Sequence, residues 1–140
     1  MIIINKVGIE YIGILNEIIL SGGLILWPSG GVYGLACSAY DKNAVEKIYE
    51  LKIRDNNKPL SLIVSFKTVE SFAYIPVKAK KIIYNIWPDF IGVIAKKKKK
   101  VPDFVTAGKD TVGLVCSSFI NEFLAEIFAK AYYFAVRINN

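Results

Sequence analysis

A short apolar run that ends in proline and glycine constrains the fold of this 140-residue chain more than any other feature. Leu24–Trp27 is uninterrupted and of strand length, as expected for a strand covered on both faces. Pro28 has no N–H to give to a β-ladder, so the strand is predicted to end there. Gly30 and Gly31 follow, and glycines at such a position let backbone amides approach an anion closely. The stretch therefore predicts a buried strand that leads into either a simple glycine turn or an anion-binding loop.

Residue periodicity divides the rest of the chain into further helices and strands. Helices are predicted over Tyr11–Leu20, which Gly22 and Gly23 end, from a cap at Asp41 to about Leu51, from Thr68 through Tyr74, over Val77–Ile86 and over Asn121–Lys130. Strands are predicted over Ile2–Ile4, Val32–Cys37, Leu60–Val64, Phe90–Ala95 (continuing into the lysine run), Thr111–Cys116 and Tyr132–Val136. With no internal repeat and no linker, this alternation predicts one α/β domain of the α+β type over residues 1–140. Its mixed sheet is expected to carry helices on its faces.

Composition limits the catalytic chemistry that the protein can perform and indicates its cellular compartment. Histidine is absent, which excludes Ser-His and Cys-His nucleophile systems and the usual zinc ligands. Cys37 and Cys116 stand in apolar contexts and are expected to be buried free thiols. No apolar run approaches the ~20 residues of a membrane span. The apolar start carries Glu10 and Glu17 and no basic leader, so we expect a cytoplasmic protein without membrane contact.

A basic segment follows the helix that Asp41 is predicted to cap. Lys52, Arg54 and Lys58 lie within a short, turn-rich span. Cations at a helix C-terminus are ordinary partners of the helix dipole, which is one interpretation. The other is a triphosphate clamp, in which Arg54 gives planar bidentate contacts and Lys58 a point charge.

A second basic segment supplies five of the positive charges in a chain of net charge +6. It consists of Lys96, Lys97, Lys98, Lys99 and Lys100. A solvated loop is one interpretation. Contact with RNA phosphates is the other, because clustered lysines give a salt-dependent affinity that ignores sequence.

The glycine loop and the first basic segment together resemble the signature of the YrdC/Sua5 family. That family carries a Pro-Thr-Asp-Thr-Val-Tyr-Gly-Leu element and then a Lys-x-Arg…Lys-Pro-Leu element. The matching residues are Pro28, Val32, Tyr33, Gly34 and Leu35 in the first element and Lys52, Arg54, Lys58, Pro59 and Leu60 in the second. Both elements occur in the family's order and separation, and the resemblance extends from about Gly13 to Asn139.

Three later positions mark where the chain departs from the family pattern. Asp110-Thr111-Val112-Gly113 resembles an Asp-Thr-Val-Gly-Val-Arg element, with Val115 in place of the arginine. Gly92 stands where a Trp-Pro-Gly-Pro-x-Thr element has its threonine, and Arg137 where Ser-Ala-Asn-x-Ser-Gly has its first serine. Asn139 matches that last element. Family members continue for tens of residues beyond it, so the resemblance implies a YrdC-like domain that lacks the usual C-terminal part.

The resemblance implies a fold, an activity and a set of ligand contacts. The fold is an open, twisted mixed sheet with a basic concave groove. The activity is that of an L-threonylcarbamoyladenylate synthase, a nucleotidyltransferase. It condenses L-threonine, bicarbonate and ATP into threonylcarbamoyl-AMP and pyrophosphate for the threonylcarbamoyladenosine (t6A) modification of tRNA. ATP is then a substrate and Mg²⁺ enters with the nucleotide. The implied substrate and nucleotide contacts are Ser29, Gly30, Gly31, Tyr33, Lys52, Arg54, Lys58, Thr111 and Asn139, and no residue is assigned a catalytic role.

Two alternatives stay open at this point. Each hydrogen bond lost to a charged ligand group costs about 1.5–3 kcal/mol, so the departures predict weaker nucleotide binding. In the first alternative the fold persists with weakened catalysis, and its basic face binds double-stranded RNA, tRNA or other proteins of the t6A pathway. In the second, a shortened paralogue has neither activity. Tyr33 is likewise open between a ligand contact and a core position.

Overall fold

The computed structural model describes residues 9–28, 33–116 and 134–138. A 3-10 helix over Ile9–Tyr11 precedes α1 (Ile12–Leu20), and the other described helices are α2 (Lys42–Leu51), α3 (Val69–Phe72), α4 (Val77–Ile86) and α5 (Asp103–Thr106). The strands are β1 (Ile25–Pro28), β2 (Tyr33–Ser38), β3 (Ser61–Ile63), β4 (Ala73–Tyr74), β5 (Asp89–Lys97), β6 (Thr111–Cys116) and β7 (Phe134–Ile138). The predicted strand Ile2–Ile4, the predicted helix Asn121–Lys130 and the predicted contacts Ser29, Gly30, Gly31 and Asn139 lie outside the described residues.

The strands form one mixed sheet in the order β1-β2-β7-β3-β6-β5-β4. β3 and β6 are parallel, with Ser61 opposite Gly113, and the remaining pairs are antiparallel. β7, which comes last in the described chain, lies between β2 and β3. The mixed sheet with helices that the sequence predicted is therefore confirmed.

The main core lies on one face of this sheet. Along β6 buried and half-buried residues alternate, so Val112, Leu114 and Cys116 face the core while Thr111, Gly113 and Val115 face the other way. Helices α2, α3, α4 and α5 all contribute buried side chains to the same cluster: Ile48, Phe72, Ile83 and Val105 are among them. The opposite face of β5 and β6 is more open, and it is the face on which the site residues of these strands lie.

Local signals set several helix ends. The Asp41 carboxylate accepts a hydrogen bond from the Ala44 amide at 3.0 Å, which confirms the predicted cap of α2. Gly22 adopts a φ of +73° and the Gly23 amide donates to the Ile18 carbonyl at 2.8 Å, which ends α1 as predicted.

The prediction of one helix from Thr68 through Tyr74 was wrong. The helix α3 ends at Phe72, and Ala73 and Tyr74 instead form β4, whose backbone pairs with Lys97 and Lys96 of β5. The Thr68 hydroxyl accepts a hydrogen bond from the Ser65 amide at 2.9 Å and does not cap the helix. Sheet pairing with a distant strand therefore overrides the local helical pattern.

Two further expectations concern bilayers and thiols. The longest of the described helices, α2 and α4, have ten residues each and are too short to cross a bilayer. Cys37 and Cys116 are buried and form no disulfide, as predicted. Burial raises the pKa of the Cys116 thiol to about 11.

Candidate functional site

Strand register places the Tyr33 end of β2 next to the end of β7. Tyr33 lies opposite Pro28, the last residue of β1, and Gly34 lies opposite Ile138, the last residue of β7. Tyr33 is 64% exposed, which excludes a core position, and its contact with a ligand stays a prediction. Arg137 is paired with Leu35 at the same end of the strand.

The first residues of β3 and β6 lie at this same end of the sheet. Ser61 begins β3 and lies opposite Gly113 of β6, while Thr111 begins β6 and lies opposite Lys96 near the end of β5. Lys58 precedes Ser61 by three residues and has an exposed side chain. Tyr33, Lys58, Thr111 and Lys96, which are far apart in the sequence, therefore belong to one end of one sheet.

Helix α2 brings Lys52 and Arg54 to the start of β3. Lys52 is the C-cap residue of α2, and its amide donates to the Ile48 carbonyl at 3.1 Å. The Arg54 guanidinium donates from Nε to the Lys58 carbonyl at 3.3 Å and from Nη2 to the Pro59 carbonyl at 2.9 Å. The three cations of the predicted clamp thus lie on one compact turn, and Arg54 directs part of its guanidinium to backbone carbonyls.

Tyr49, on the buried side of α2, joins this turn. Its hydroxyl donates to the Lys58 carbonyl at 2.8 Å, the same oxygen that Arg54 Nε contacts. Burial raises the pKa of the Tyr49 hydroxyl, and the nearby Arg54 charge partly opposes that rise. Neither the Tyr49 nor the Arg54 contact with the Lys58 carbonyl was predicted from the sequence. A residue's place on the apolar face of a helix does not show which distant backbone carbonyl its side chain reaches.

The turn that carries Lys58 is built from local hydrogen bonds. The Asn57 amide donates to the Asp55 carboxylate at 2.9 Å, and the Lys58 amide donates to the Asp55 carbonyl at 3.0 Å. The Leu60 amide then donates to the Val105 carbonyl at 2.9 Å, which ties the turn to α5. The backbone around Lys58 is therefore held from both sides.

Two positions that depart from the family pattern, Gly92 and Val115, are neighbours on the open face of the sheet. A methyl group added to Gly92 of β5 would lie 3.7 Å from Val115 Cγ1 of β6, an ordinary contact distance. The two positions at which the family has a threonine and an arginine are therefore neighbours. In this chain neither carries a polar side chain.

Lys97 does not behave as a solvent-exposed member of the lysine run. Its ammonium group contacts the Asp103 carboxylate and lies 2.9 Å from the Thr106 hydroxyl. Its side chain is only 12% exposed. Lys97 thus links β5 to α5 through side-chain contacts. This placement does not support a contact between Lys97 and RNA.

Two other members of the run are also held within the molecule. Lys98 Nζ donates to the Glu70 carbonyl at 2.6 Å, and Lys100 Nζ lies 4.2 Å from the centre of the Phe72 ring. Lys96 and Lys99 are exposed. The run is therefore neither a plain solvated loop nor a uniform phosphate-binding stripe.

A surface hollow of about 350 Å³ lies at the other end of β2. Residues lining it include Ile19 of α1, Ser38 of β2 and Asp41 at the start of α2. None of the predicted site residues lines this hollow. Within the described ranges, no group of three or more acidic or cysteine side chains converges in a way that would hold a metal ion.

A family model for the Sua5, YciO and YrdC proteins, described as "Telomere recombination", matches residues 17–132. The chain belongs to the Sua5/YciO/YrdC family. The resemblance drawn from the glycine loop and the basic segment is thereby confirmed.

Curated relatives of this family member carry one recurring name. A putative threonylcarbamoyl-AMP synthase of Methanocaldococcus jannaschii is 39% identical over 101 residues, covering 71% of this chain and 48% of the relative. The threonylcarbamoyl-AMP synthase of Pyrococcus abyssi is 38% identical over 98 residues, covering 69% of this chain and 29% of the relative. The chain thus spans about half, or less, of the length of these relatives.

Solved structures of the family agree with the fold. Sua5 of P. abyssi in complex with L-threonine superimposes with a TM-score of 0.82 at 29% identity, over 95% of this chain and 39% of that one. YciO of Escherichia coli superimposes with a TM-score of 0.81 at 23% identity, over 94% of this chain and 65% of that one, a likeness of fold alone.

Proposed function

We propose that this Sua5/YciO/YrdC family member forms threonylcarbamoyl-AMP in the cytoplasm, as a step in tRNA modification. The single observation that carries the proposal is the strand register. It puts Tyr33, Ser61 and Thr111 at one end of the sheet, with Lys58 three residues before Ser61, in a chain whose relatives are named for this reaction. L-Threonine as a substrate is supported by the threonine complex of the P. abyssi protein.

The proposed chemistry needs no histidine. The threonine amine combines with bicarbonate to give a carbamate with loss of water. A carbamate oxygen then attacks the α-phosphorus of ATP, the bond from that phosphorus to the bridging oxygen breaks, and pyrophosphate leaves with Mg²⁺. The protein's task is to position the reactants and to neutralise charge on the phosphates.

Each described residue has a role suited to its placement. Lys52 and Lys58 supply positive charge to the triphosphate from the turn after α2. In this proposal the exposed Tyr33 side chain and the Thr111 hydroxyl contact the substrates at the ends of their strands. Ser29, Gly30, Gly31 and Asn139 remain predicted contacts on residue type and on resemblance to the family.

Pyrophosphate release tests the proposal directly. The folded chain is incubated with ATP–Mg²⁺, L-threonine and bicarbonate, and pyrophosphate and threonylcarbamoyl-AMP are measured. We expect product that depends on all three substrates. We also expect Lys58→Gln to reduce kcat/KM, while Lys42→Gln, which removes an equal charge from the far end of α2, does not. Absence of threonine-dependent pyrophosphate at millimolar ATP would contradict the proposal.

A further inference from the structure

Two donors from the end of α2 converge on the backbone of the turn that carries Lys58. Tyr49 Oη and Arg54 Nε both donate to the Lys58 carbonyl, and Arg54 Nη2 donates to the next carbonyl, that of Pro59. Tyr49 is 7% exposed, so its hydroxyl acts from inside the protein. A carbonyl approached by two donors is fixed more firmly than a turn residue ordinarily is.

The backbone conformation around Ile53 serves the same contacts. Ile53 has a φ of +47°, a conformation that β-branched residues rarely adopt, and its side chain is 96% exposed. This bend lets the Arg54 amide donate to the Tyr49 carbonyl at 2.9 Å. It also turns the Arg54 side chain back toward residues 58 and 59. The Ile53 amide also donates to the Glu50 carbonyl at 3.1 Å, so Ile53 is the left-handed residue of a Schellman cap that ends α2 and sets the direction in which Arg54 leaves the helix.

From these contacts we propose that Tyr49 and Arg54 are positioning residues that preform the Lys58 turn and act on the nucleotide through it. Only the part of this inference that concerns nucleotide binding rests on the proposed function. Lys58 then meets the phosphates with its backbone already ordered, so ATP binding does not bear the entropic cost of ordering the turn. In this account Arg54 acts mainly through its hydrogen bonds to the Lys58 and Pro59 carbonyls, and its positive charge has a secondary role.

Charge and hydrogen-bonding geometry can be separated by substitution. Arg54→Lys keeps the charge but loses the planar fork that spans two successive carbonyls. Tyr49→Phe removes one donor without changing charge or volume appreciably. If Arg54 acts by binding phosphate, Arg54→Lys should weaken ATP binding only slightly and Tyr49→Phe should not change it. If Tyr49 and Arg54 position the turn, both variants should make the turn more mobile.

The first experiment measures how firmly the Lys58 turn is held in the ligand-free protein. Amide hydrogen exchange of Lys58 and Leu60 is followed by NMR in the wild type, Tyr49→Phe, Arg54→Lys and the control Lys42→Arg, which like the two test variants keeps the net charge and lies at the far end of α2. We expect about three- to tenfold faster exchange in the first two variants, corresponding to one lost hydrogen bond, and no change in the control. Unchanged exchange in both variants would overturn the inference whether or not the protein binds ATP.

The second arm measures ATP–Mg²⁺ affinity by calorimetry in a double-mutant cycle. We expect Tyr49→Phe to weaken binding about three- to tenfold in the wild type and to have little further effect in Lys58→Gln, because both act through one turn. Effects that multiply independently, or a neutral Tyr49→Phe, would overturn the inference while leaving the proposed function standing. If the wild type binds no ATP, the proposed function fails, and the exchange arm alone decides whether Tyr49 and Arg54 preform the turn.

Discussion

Ser61 of β3 and Gly113 of β6 approach so closely that a methyl group added to Gly113 would come within 2.7 Å of Ser61 Oγ. These residues face each other where the two parallel strands meet at the site end of the sheet. An alanine at this position would therefore require the Ser61 hydroxyl to move.

Replacing that glycine gives the first prediction. Gly113→Ala should lower the free energy of unfolding by about 1–3 kcal/mol, because the added methyl group overpacks the strand pair. Ser61→Ala in the same protein should recover part of the loss. Urea denaturation measures both, with Gly92→Ala as the control, since its new methyl group would meet Val115 Cγ1 at 3.7 Å. Equal effects at positions 113 and 92 would contradict the prediction.

The bend at Ile53 gives the second prediction. Ile53→Gly should raise the free energy of unfolding by about 0.5–1 kcal/mol, because relief of the positive φ exceeds the entropic cost of glycine and an exposed side chain loses no burial. The same change at Ile82, which is also exposed but lies within α4, should lower stability. Thermal denaturation compares the two variants, and a loss of stability at both positions would count against strain at Ile53.

The lysine run gives the third prediction. Lys97→Ala should lower the free energy of unfolding by about 1.5–3 kcal/mol, because it removes charged hydrogen bonds in a nearly buried setting. Lys99→Ala, at an exposed position, should change stability little.

RNA affinity separates these lysines further. If the basic face binds tRNA, Lys96→Ala with Lys99→Ala should weaken binding and reduce the salt dependence by about two counterions. Filter binding at several salt concentrations measures this. An unchanged affinity would argue against the exposed lysines as an RNA contact.

The Cys116 thiol gives the fourth prediction. Burial disfavours the thiolate and raises the pKa of the Cys116 thiol from an ordinary value of 9.0 to about 11 in the folded protein. At alkaline pH the unfolded chain loses this proton first, so folding stability should fall as pH rises from about 9 to about 11. Cys116→Ala should flatten that part of the curve. Denaturant midpoints at several pH values test it, and identical slopes in both proteins would contradict the assigned pKa.

Much of the fold follows from local sequence signals. The bounds of α4 and β6 coincide with those predicted, and the Asp41 cap and the Gly22 termination are confirmed, because each depends on residues within a few positions. β4 was mispredicted because its two residues are extended only through pairing with β5, far along the chain.

The candidate site was predictable as a set of residue types and not as a set of contacts. Resemblance to the family's motifs singled out Tyr33, Lys58 and Thr111, and the register puts Tyr33 and Thr111 at one end of the sheet. The carbonyl contacts of Arg54 and the Tyr49 hydroxyl depend on how α2 meets β3, and the inward contact of Lys97 depends on where α5 lies. Such long-range geometry leaves no periodicity or motif in the chain.

The measurement that tests the proposed site most directly is an ATP–Mg²⁺ titration followed by backbone amide NMR shifts. We expect the largest shifts at Gly34 and Thr111, which the strand register puts at one end of the sheet, and at Lys58, three residues before the start of β3. Shifts confined to Ser38 and Asp41, beside the hollow at the other end of β2, would contradict that placement.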